Sequence, residues 1–268
     1  MQTDVALIGF GEAGSAFAQA ANWAERACAY DIRSSRGAVM ASLGVREASS
    51  ASAALVGAPV VLSLVTADQA QAAAEDYAGF LQLGAIWCDM NSVAPATKRA
   101  AARAVIAAGG RYVDVAIMAP VGPLALNIPL LISGADADEA AAALTTAGFG
   151  NIGIVGDEIG RASAIKLIRS VMVKGIEALT DEMMAAAQAA GVTSEVLASL
   201  DASEKPQAWS ARAAYNLDRM AVHGLRRAAE MEQAALTLAG LGIEPVMTTA
   251  TVQRQRDAGE RQSRSTAE

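Results

Sequence analysis

The fold is decided near the N-terminus by the stretch Val5-Ala6-Leu7-Ile8-Gly9-Phe10-Gly11-Glu12-Ala13-Gly14. Four apolar residues before a G-x-G-x-x-G turn predict a buried strand that enters a tight bend and then a helix. Gly9 permits the bend, Gly11 lets a pyrophosphate approach the backbone, and Gly14 lets the helix pack against the strand. The free N–H groups at the start of the helix would face the phosphates. We therefore predict a dinucleotide site that contains Gly9, Phe10, Gly11, Glu12, Ala13 and Gly14.

The choice of dinucleotide depends on Asp31, at the end of the second predicted strand. A carboxylate there is placed to accept hydrogen bonds from ribose hydroxyls, which favours NAD. The basic and hydroxyl side chains of residues 33–36 would suit a 2′-phosphate, although a solvated loop explains them almost as well. Because Asp31 would repel that phosphate, NAD is the predicted cofactor and NADP stays possible. Arg33 is included among the cofactor contacts, together with Val65 and Thr66 at the end of a third strand.

The first 156 residues alternate between short β-rich runs and alanine-rich helical stretches, which predicts a doubly wound α/β domain of Rossmann type. Most runs are continuous in Val, Ile and Leu, as in a parallel sheet covered on both faces. The predicted strands are Val5–Gly9, Ala27–Asp31, Val60–Val65, Ala85–Met90, Tyr112–Ile117, Leu130–Ser133 and Ile152–Val155. The predicted helices are Ala13–Ala24, Ala67–Gly79, Ala96–Ala108 and Ala137–Ala147.

The periodicity becomes helical throughout after Gly156. A proline-free stretch from Ile159 to about Ala190 predicts a long interdomain helix, roughly 45 Å in length. Further helices are predicted at Ser194–Ala202, Gln207–Val222 and Leu225–Gly240. We expect residues 157–252 to form an all-helical substrate and dimerisation domain, since so thin and apolar a domain needs a second copy to bury its faces. Residues 253–268 are polar without an apolar period, which predicts a frayed tail.

Composition and net charge limit the classes of protein to which the chain can belong. The chain has 268 residues, enough for two ordinary domains. No stretch is long and apolar enough to span a bilayer, and the first residues lack the basic region of a signal peptide. The net charge of −7 argues against binding to nucleic acid or to an anionic membrane. Cys28 and Cys88 are expected to be buried free thiols, and with His223 as the only histidine no metal site is predicted. We expect a cytoplasmic protein.

Polar side chains follow the fourth predicted strand, in the stretch Asp89-Met90-Asn91-Ser92-Val93-Ala94-Pro95. Ligands sit at the carboxyl ends of the strands in a doubly wound sheet. Asn91 is therefore assigned to both cofactor and substrate, and Ser92 to substrate. A strand end followed by an ordinary helix cap would also explain these residues.

The start of the long helix carries the candidate for proton transfer, Lys166, flanked by Ile165 and Leu167. Partial burial would lower the pKa of this lysine toward the range useful for acid–base catalysis. An ordinary surface lysine on an amphipathic helix is the alternative. Arg169 and Ser170 follow within about one turn, and Arg169 is the better candidate for an anionic substrate.

Taken together, these motifs resemble the β-hydroxyacid dehydrogenases, the superfamily of 3-hydroxyisobutyrate and 6-phosphogluconate dehydrogenases. The likeness covers almost the whole chain. The family pattern D-x-S-T-x-x-P looks like the stretch from Asp89 to Pro95, and the family lysine that acts as general acid/base falls on Lys166. The resemblance implies hydride transfer between NAD(P) and a small anionic β-hydroxy acid, or a related alcohol or semialdehyde. An imine reductase on the same scaffold and a non-catalytic dinucleotide-binding regulator are the alternatives; imine reductases typically carry Asp or Tyr in place of Lys166.

Departures from the family pattern concern the substrate end. The strand that ends in D-A-P-V-S-G-G in the family is here Asp114-Val115-Ala116-Ile117-Met118-Ala119-Pro120, and an amide side chain expected one turn after the lysine is absent. His223, Arg226 and Arg227 cluster on about one helical turn. In 6-phosphogluconate dehydrogenases the C-terminal domain of the second subunit supplies basic residues to the substrate, which implies such a role for Arg226 or Arg227. A surface pair between Arg226 and Glu230 is the alternative. The predicted substrate contacts are Asn91, Ser92, Met118, Arg169, Ser170, His223 and Arg226.

Overall fold

The structure is a computed structural model that describes residues 4–203 and 207–265. The chain divides into two compact units, Met1–Arg169 and Ser170–Glu268. The eight strands are β1 Val5–Ile8, β2 Ala27–Tyr30, β3 Arg46–Glu47, β4 Val60–Ser63, β5 Ile86–Asp89, β6 Arg111–Ile117, β7 Leu130–Ser133 and β8 Ile152–Ile154. The helices of the first unit are α1 Glu12–Ala21, α2 Gly37–Ser42, α3 Ala51–Leu55, α4 Ala70–Tyr77, α5 Pro95–Ala107, α6 Val121–Leu124 and α7 Ala137–Thr146. The remaining helices are α8 Arg161–Ala190, α9 Thr193–Ser203, α10 Trp209–Gly240 and α11 Val246–Ser265.

The strands form one sheet in the order β3-β2-β1-β4-β5-β6-β7-β8. The order reverses between β1 and β4, which makes the carboxyl ends of these two strands the switch point at which a doubly wound sheet binds its ligand. The predicted Rossmann-type sheet is confirmed, with two differences. The two-residue strand β3 was too short to predict. β7 pairs antiparallel with β6. The connection between them holds only the one-turn helix α6 and a 3-10 turn at Ala125–Asn127, in place of the longer helix that usually carries a parallel crossover.

Alternate residues of each central strand pack on opposite faces of the sheet, and both faces are covered. Leu7 and Leu62 belong to one buried cluster with Phe17 of α1, whereas Ile8 and Val61 belong to a second cluster. This double burial explains why the strands read as continuous apolar runs. Cys28 and Cys88 are buried free thiols, as predicted, one on each of two strands.

Small residues bring α10 and α11 together in the second unit. A Cβ on Gly224 would lie 2.3 Å from the backbone oxygen of Gln255, and one on Gly259 would lie 2.8 Å from the backbone nitrogen of Leu225. Gly224 therefore lies within the continuous helix α10 and lets α11 cross it closely. The predicted break between Val222 and Leu225 is wrong. Gly224 was interpreted as a helix stop. Its actual role is to leave room for the backbone of α11.

The expectation of a frayed tail from residue 253 also differs from the structure, because α11 continues to Ser265. The buried face of α11 contains Thr248, Val252, Gln255 and Ala258, with Gly259 at the crossing. A face made of such small and polar residues gives no apolar period to read in the sequence.

Glu182 of α8 caps the start of α11. Its carboxylate accepts hydrogen bonds from the backbone N–H of Met247 at 2.7 Å and of Thr248 at 2.8 Å, and from the Thr248 hydroxyl at 2.6 Å. Burial acts to raise the pKa of Glu182, but the hydrogen bonds from Thr248 and from the backbone outweigh it and hold the pKa below its ordinary value. A carboxylate at this end of a helix also interacts favourably with the helix dipole.

Candidate functional site

The glycine turn has the close contacts that the motif predicts. Gly9 has a φ of +90°, and a Cβ on it would lie 2.5 Å from the backbone oxygen of Leu64. A Cβ on Gly14 would lie 3.1 Å from the oxygen of Gly9, so the third glycine lets α1 pack against the turn. Gly11 precedes the first residue of α1 and no side chain caps the helix. The N-terminal amides of α1 therefore meet no competing side-chain cap, which suits the binding of a phosphate.

A cavity of about 450 Å³ opens at this turn, at the switch point of the sheet. Seven of the residues predicted to bind the cofactor line it: Gly9, Gly11, Glu12, Asp31, Arg33, Val65 and Thr66. The other four, Phe10, Ala13, Gly14 and Asn91, do not line the cavity. The ring of Phe10 is fully buried in the core, and its contribution to the site is its backbone N–H. The cavity therefore brings the glycine turn, the end of β2 and the loop after β4 to one place.

Asp31 is held by its neighbours at the mouth of this cavity. One carboxylate oxygen accepts from the Phe10 N–H at 2.8 Å, and the other accepts from the Arg33 N–H at 2.9 Å and Nε at 3.2 Å. Burial acts to raise the pKa of Asp31, but the hydrogen bonds from Arg33 and Phe10 outweigh it, so the pKa lies below its ordinary value. Asp31 is thus an ionised acceptor, the form that binds ribose hydroxyls.

Further residues of the cavity were not predicted from the sequence. Tyr30 and Tyr77 meet edge to face with ring centroids 6.2 Å apart, and Ile32 is exposed beside them. Arg36, which belongs to the basic loop considered above for a 2′-phosphate, does not line the cavity. It donates from Nε to the Phe10 oxygen at 2.6 Å, which ties the loop after β2 to the glycine turn. An apolar wall beside a ribose-binding carboxylate fits the adenosine half of a dinucleotide. The aromatic residue that ends β2 was the only sequence signal for this wall.

A row of buried polar residues crosses the sheet at the level of the glycine turn. The strand register aligns Ile8 with Ser63, Ser63 with Asp89, and Asp89 with Asp114, and the antiparallel pair continues to Ser133. All four polar members are fully buried. We call Ser63, Asp89, Asp114 and Ser133 the polar row; it begins next to the cofactor cavity and ends at the start of α8.

Lys98 of α5 is the cation of this row. Its ammonium lies 2.9 Å from Asp89 Oδ1 and 3.3 Å from Asp114 Oδ1, and it donates to the Asp89 backbone oxygen at 2.6 Å. Tyr112 donates its hydroxyl to Asp89 Oδ2 at 2.6 Å. Burial, together with the Asp89 carboxylate, raises the pKa of Tyr112 far above its ordinary value, so the phenol stays a neutral donor. Sequence reasoning missed Lys98, because a lysine in the first turn of a helix gives no sign of burial.

Asn91 is buried next to the polar row and has one polar atom to spare. Its Nδ2 donates to Asp89 Oδ1 at 2.8 Å and to Ser63 Oγ at 3.0 Å. Because a carboxylate only accepts, the nitrogen must be the end of the amide that faces Asp89. The Asn91 oxygen is buried, and no residue in the described part of the chain bonds to it. A buried acceptor of this kind suits a ligand N–H or O–H.

Asp114 fixes the start of α8 and hence the position of Lys166 on it. The Asp114 carboxylate accepts from the Ser163 hydroxyl at 2.6 Å and from the Ser163 N–H at 2.9 Å. Lys166 follows three residues later, about 4.5 Å along the helix axis. The lysine is half-buried and Arg169 is exposed. Asn91 and the anchored first turn of α8 therefore belong to one connected network.

The other predicted substrate residues are more scattered. Ser92 is exposed just after Asn91, and Met118 is half-buried beyond the end of β6. Ser170 is half-buried and belongs to the second unit. His223 and Arg226 are exposed there and line a groove of about 520 Å³ with Gly224 and Gly259. The side chain of Glu230, named above as the alternative partner of Arg226, lies outside the described part.

Comparison with known families agrees with this geometry. A profile described as "NAD binding domain of 6-phosphogluconate dehydrogenase" matches residues 4–145, more than half of the chain. The chain belongs to this family. The resemblance to hydroxyacid dehydrogenases and the prediction of NAD as a cofactor are thereby confirmed. The individual cofactor-binding residues stay predictions. A second profile, "Domain of unknown function (DUF1932)", matches residues 187–258.

Solved structures extend the comparison to the whole chain. A conserved hypothetical protein from Sinorhizobium meliloti 1021 is 38% identical, with 97% of this chain and 89% of the other covered and a TM-score of 0.65. Conserved protein MTH1747, of unknown function and described as similar to 3-hydroxyacid dehydrogenases, is 31% identical over 96% of this chain and 97% of its own, with a TM-score of 0.64. An imine reductase variant from Myxococcus stipitatus, in complex with NAD+, shares the fold at 20% identity and a TM-score of 0.76, covering 97% and 94%. None of the helices in residues 4–203 and 207–265 is long and apolar enough to cross a membrane.

Proposed function

We propose that the chain is an NAD(P)-dependent oxidoreductase that acts on a small anionic β-hydroxy acid, or on a related alcohol or semialdehyde. Lys166 is its general acid/base. The observation that carries this proposal is the buried network that joins Asn91, beside the cofactor edge of the sheet, to the first turn of α8, one turn before Lys166.

The arrangement of the sheet supports a place for each half of the cofactor. Asp31 and the apolar wall lie on the β2 side of the switch point, where they would hold the adenosine half. A dinucleotide bound across that point extends its other half over β4 and β5. Ser63 is the last residue of β4, and Asn91 follows the end of β5 by two residues. The spare oxygen of Asn91 would therefore accept a hydrogen bond from the nicotinamide half or from the substrate.

When bound, the nicotinamide supplies the acceptor or donor of hydride. Lys166 would take the proton from the substrate hydroxyl during oxidation and return it to the same oxygen during reduction. Arg169, three residues further on, would meet the carboxylate of the substrate. A guanidinium binds such a group with two parallel hydrogen bonds, which also fixes its orientation.

A homodimer is part of the proposal. α8 exposes large apolar side chains, among them Ile168 at 72% and Val171 at 76%. Leu217 of α10 is exposed at 68%. A second copy of the chain would cover these apolar surfaces. That copy would also contribute Arg226 or His223 to the binding of the substrate. Light scattering after size-exclusion chromatography tests this point; a monomer at micromolar concentration would contradict it.

Turnover by matched lysine variants tests the catalytic role. The probes are 3-hydroxyisobutyrate and 6-phosphogluconate with NAD+ or NADP+, and cyclohexanone with allylamine and NADPH for the imine alternative. In Lys166→Met we expect kcat to fall by roughly 10²–10⁴-fold with unchanged NADH affinity. Lys174→Met, an exposed lysine on the same helix, should behave like the unmodified enzyme. Equal kcat in the two variants would remove Lys166 from the mechanism, and turnover of the amine pair alone would favour an imine reductase.

A further inference from the structure

We propose that the buried charged side chains of Asp89, Lys98 and Asp114 position the active site. They do so by holding Asn91 and the first turn of α8 at a fixed separation. Lys98, Asp114 and Ser163 are then positioning residues that act through Asn91 and Lys166. The inference rests on the proposed function, because Lys166 is the group being placed.

The contacts run without interruption from one end to the other. Asn91 donates from both its backbone N–H and its side-chain amide to Asp89 Oδ1, at 2.9 and 2.8 Å. The ammonium of Lys98 bridges Asp89 and Asp114, and Asp114 holds the N–H and the hydroxyl of Ser163. Asn91, Lys98 and Ser163 lie on different elements, so the network joins the end of β5 to α5 and to α8.

Backbone packing supports the same junction. Gly160, just before α8, has a φ of +99°, and a Cβ there would lie 2.8 Å from the Cβ of Pro95, the first residue of α5. Ala162 is fully buried and its N–H donates to Ser133 Oγ at 3.1 Å. The start of α8 is therefore held by two members of the polar row and by direct contact with the helix that carries Lys98.

The charges of the network need the helix end to be in place. Two buried carboxylates, those of Asp89 and Asp114, face the one buried ammonium of Lys98. The N-terminus of α8 carries the positive end of the helix dipole, equivalent to roughly half a charge, and Asp114 accepts a hydrogen bond from it. A shift of α8 away from Asp114 would remove both hydrogen bonds from Ser163 and leave a buried carboxylate with fewer donors. The hydrogen bonds of the network are thus complete at only one position of α8.

Stability alone does not call for such an arrangement. Buried ion pairs are often replaced by apolar residues at no loss of stability, because removing charges from water is costly. What charged hydrogen bonds add is direction and short distances. Fixed geometry matters where a proton is transferred, since a misplacement of about 1 Å lowers a rate by roughly 10²-fold.

The test compares Ser163→Ala with Ser163→Thr. The alanine variant loses the hydroxyl bond to Asp114 and leaves every charge in place, whereas threonine keeps the hydroxyl. Ser50→Ala is the control for lost stability, because it removes a hydroxyl that caps α3 through the Ala53 N–H, outside the network. Asp114→Asn is a second variant that weakens the same anchor.

Two readouts decide the outcome. In Ser163→Ala and Asp114→Asn we expect amides of residues 161–167 to exchange with deuterium about tenfold faster. We also expect kcat, normalised to sites titrated with NADH, to fall about tenfold with unchanged NADH affinity. Ser163→Thr should stay within threefold of the unmodified enzyme, and Ser50→Ala should keep its kcat per site even with a lower Tm.

Unchanged exchange in both variants would overturn the anchoring, and faster exchange with unchanged kcat per site would reduce it to a purely structural role. Failure of the proposed function is a separate result: the unmodified enzyme would turn over none of the probes. That result would overturn the catalytic part of the inference, while the exchange rates still decide whether Asp114 and Ser163 hold α8.

Discussion

Replacement of Gly9 by alanine separates the fold requirement of the glycine turn from its role in binding. The new Cβ would lie 2.5 Å from the Leu64 oxygen and 2.8 Å from the Leu64 carbonyl carbon. Restoring an ordinary contact of 3.4 Å requires a displacement of about 0.9 Å between the ends of β1 and β4. Backbone atoms are on both sides of the clash, so no side-chain rotation relieves it.

The expected cost follows from two terms. A left-handed backbone costs a non-glycine residue roughly 1–2 kcal/mol. Overpacking against a rigid neighbour costs roughly 1–3 kcal/mol. We therefore expect Gly9→Ala to lower the free energy of unfolding by about 2–5 kcal/mol, which is a fall of roughly 5–15 °C in Tm for a domain of this size.

Gly11→Ala is the matched control two residues away. Gly11 has a φ of −77°, and its Cβ would meet only Nη2 of Arg33, at 3.7 Å. We expect this variant to keep its Tm but to bind NADH at least about tenfold more weakly, because the methyl group occupies the space for the pyrophosphate. Thermal unfolding and fluorescence titration with NADH measure the two effects. A Gly9→Ala protein with the Tm and NADH affinity of the unmodified chain would refute the reasoning.

Three further predictions follow from single contacts. Asp31→Asn should weaken NADH binding by roughly tenfold or more, since a hydrogen bond to a charged group is lost, and NADPH binding less; equal losses in the two titrations would contradict the NAD preference. Glu182→Gln should cost about 1–2 kcal/mol in urea unfolding at pH 7. Because the folded pKa of Glu182 is depressed, its contribution is present above the ordinary value of 4.5 and is lost as the pH falls through the folded value, so the variant should differ less from the unmodified protein at low pH. Gly224→Ala should unfold the α10–α11 pair at a markedly lower temperature by far-UV circular dichroism, whereas Gly240→Ala, with open space around its Cβ, should not; similar melting of the two variants would argue against the close crossing.

The parts predicted correctly are those set by local pattern. The glycine turn, most of the strands and the long helix each follow from a few neighbouring residues, and so does the carboxylate at the end of β2. The errors came where a residue served a distant partner. Gly224 looked like a helix stop, and the face of α11 around Gln255 looked disordered, because both depend on the backbone of another helix.

The sequence by itself determined the Rossmann-type sheet and the glycine turn at Gly9, because both depend on residue types at fixed spacing along the chain. Through the family resemblance it also supplied Lys166 as the predicted acid/base. Only the tertiary structure decided that Lys98 is buried between Asp89 and Asp114, and that the Asn91 oxygen accepts no hydrogen bond from the part of the chain that the structure describes. The reason is physical: the register of four neighbouring strands brings together side chains that are far apart in sequence, and burial strengthens the interactions between them. Spacing in the sequence predicts the strand or helix on which a side chain lies, whereas the residues packed around that side chain set its charge interactions and hydrogen bonds.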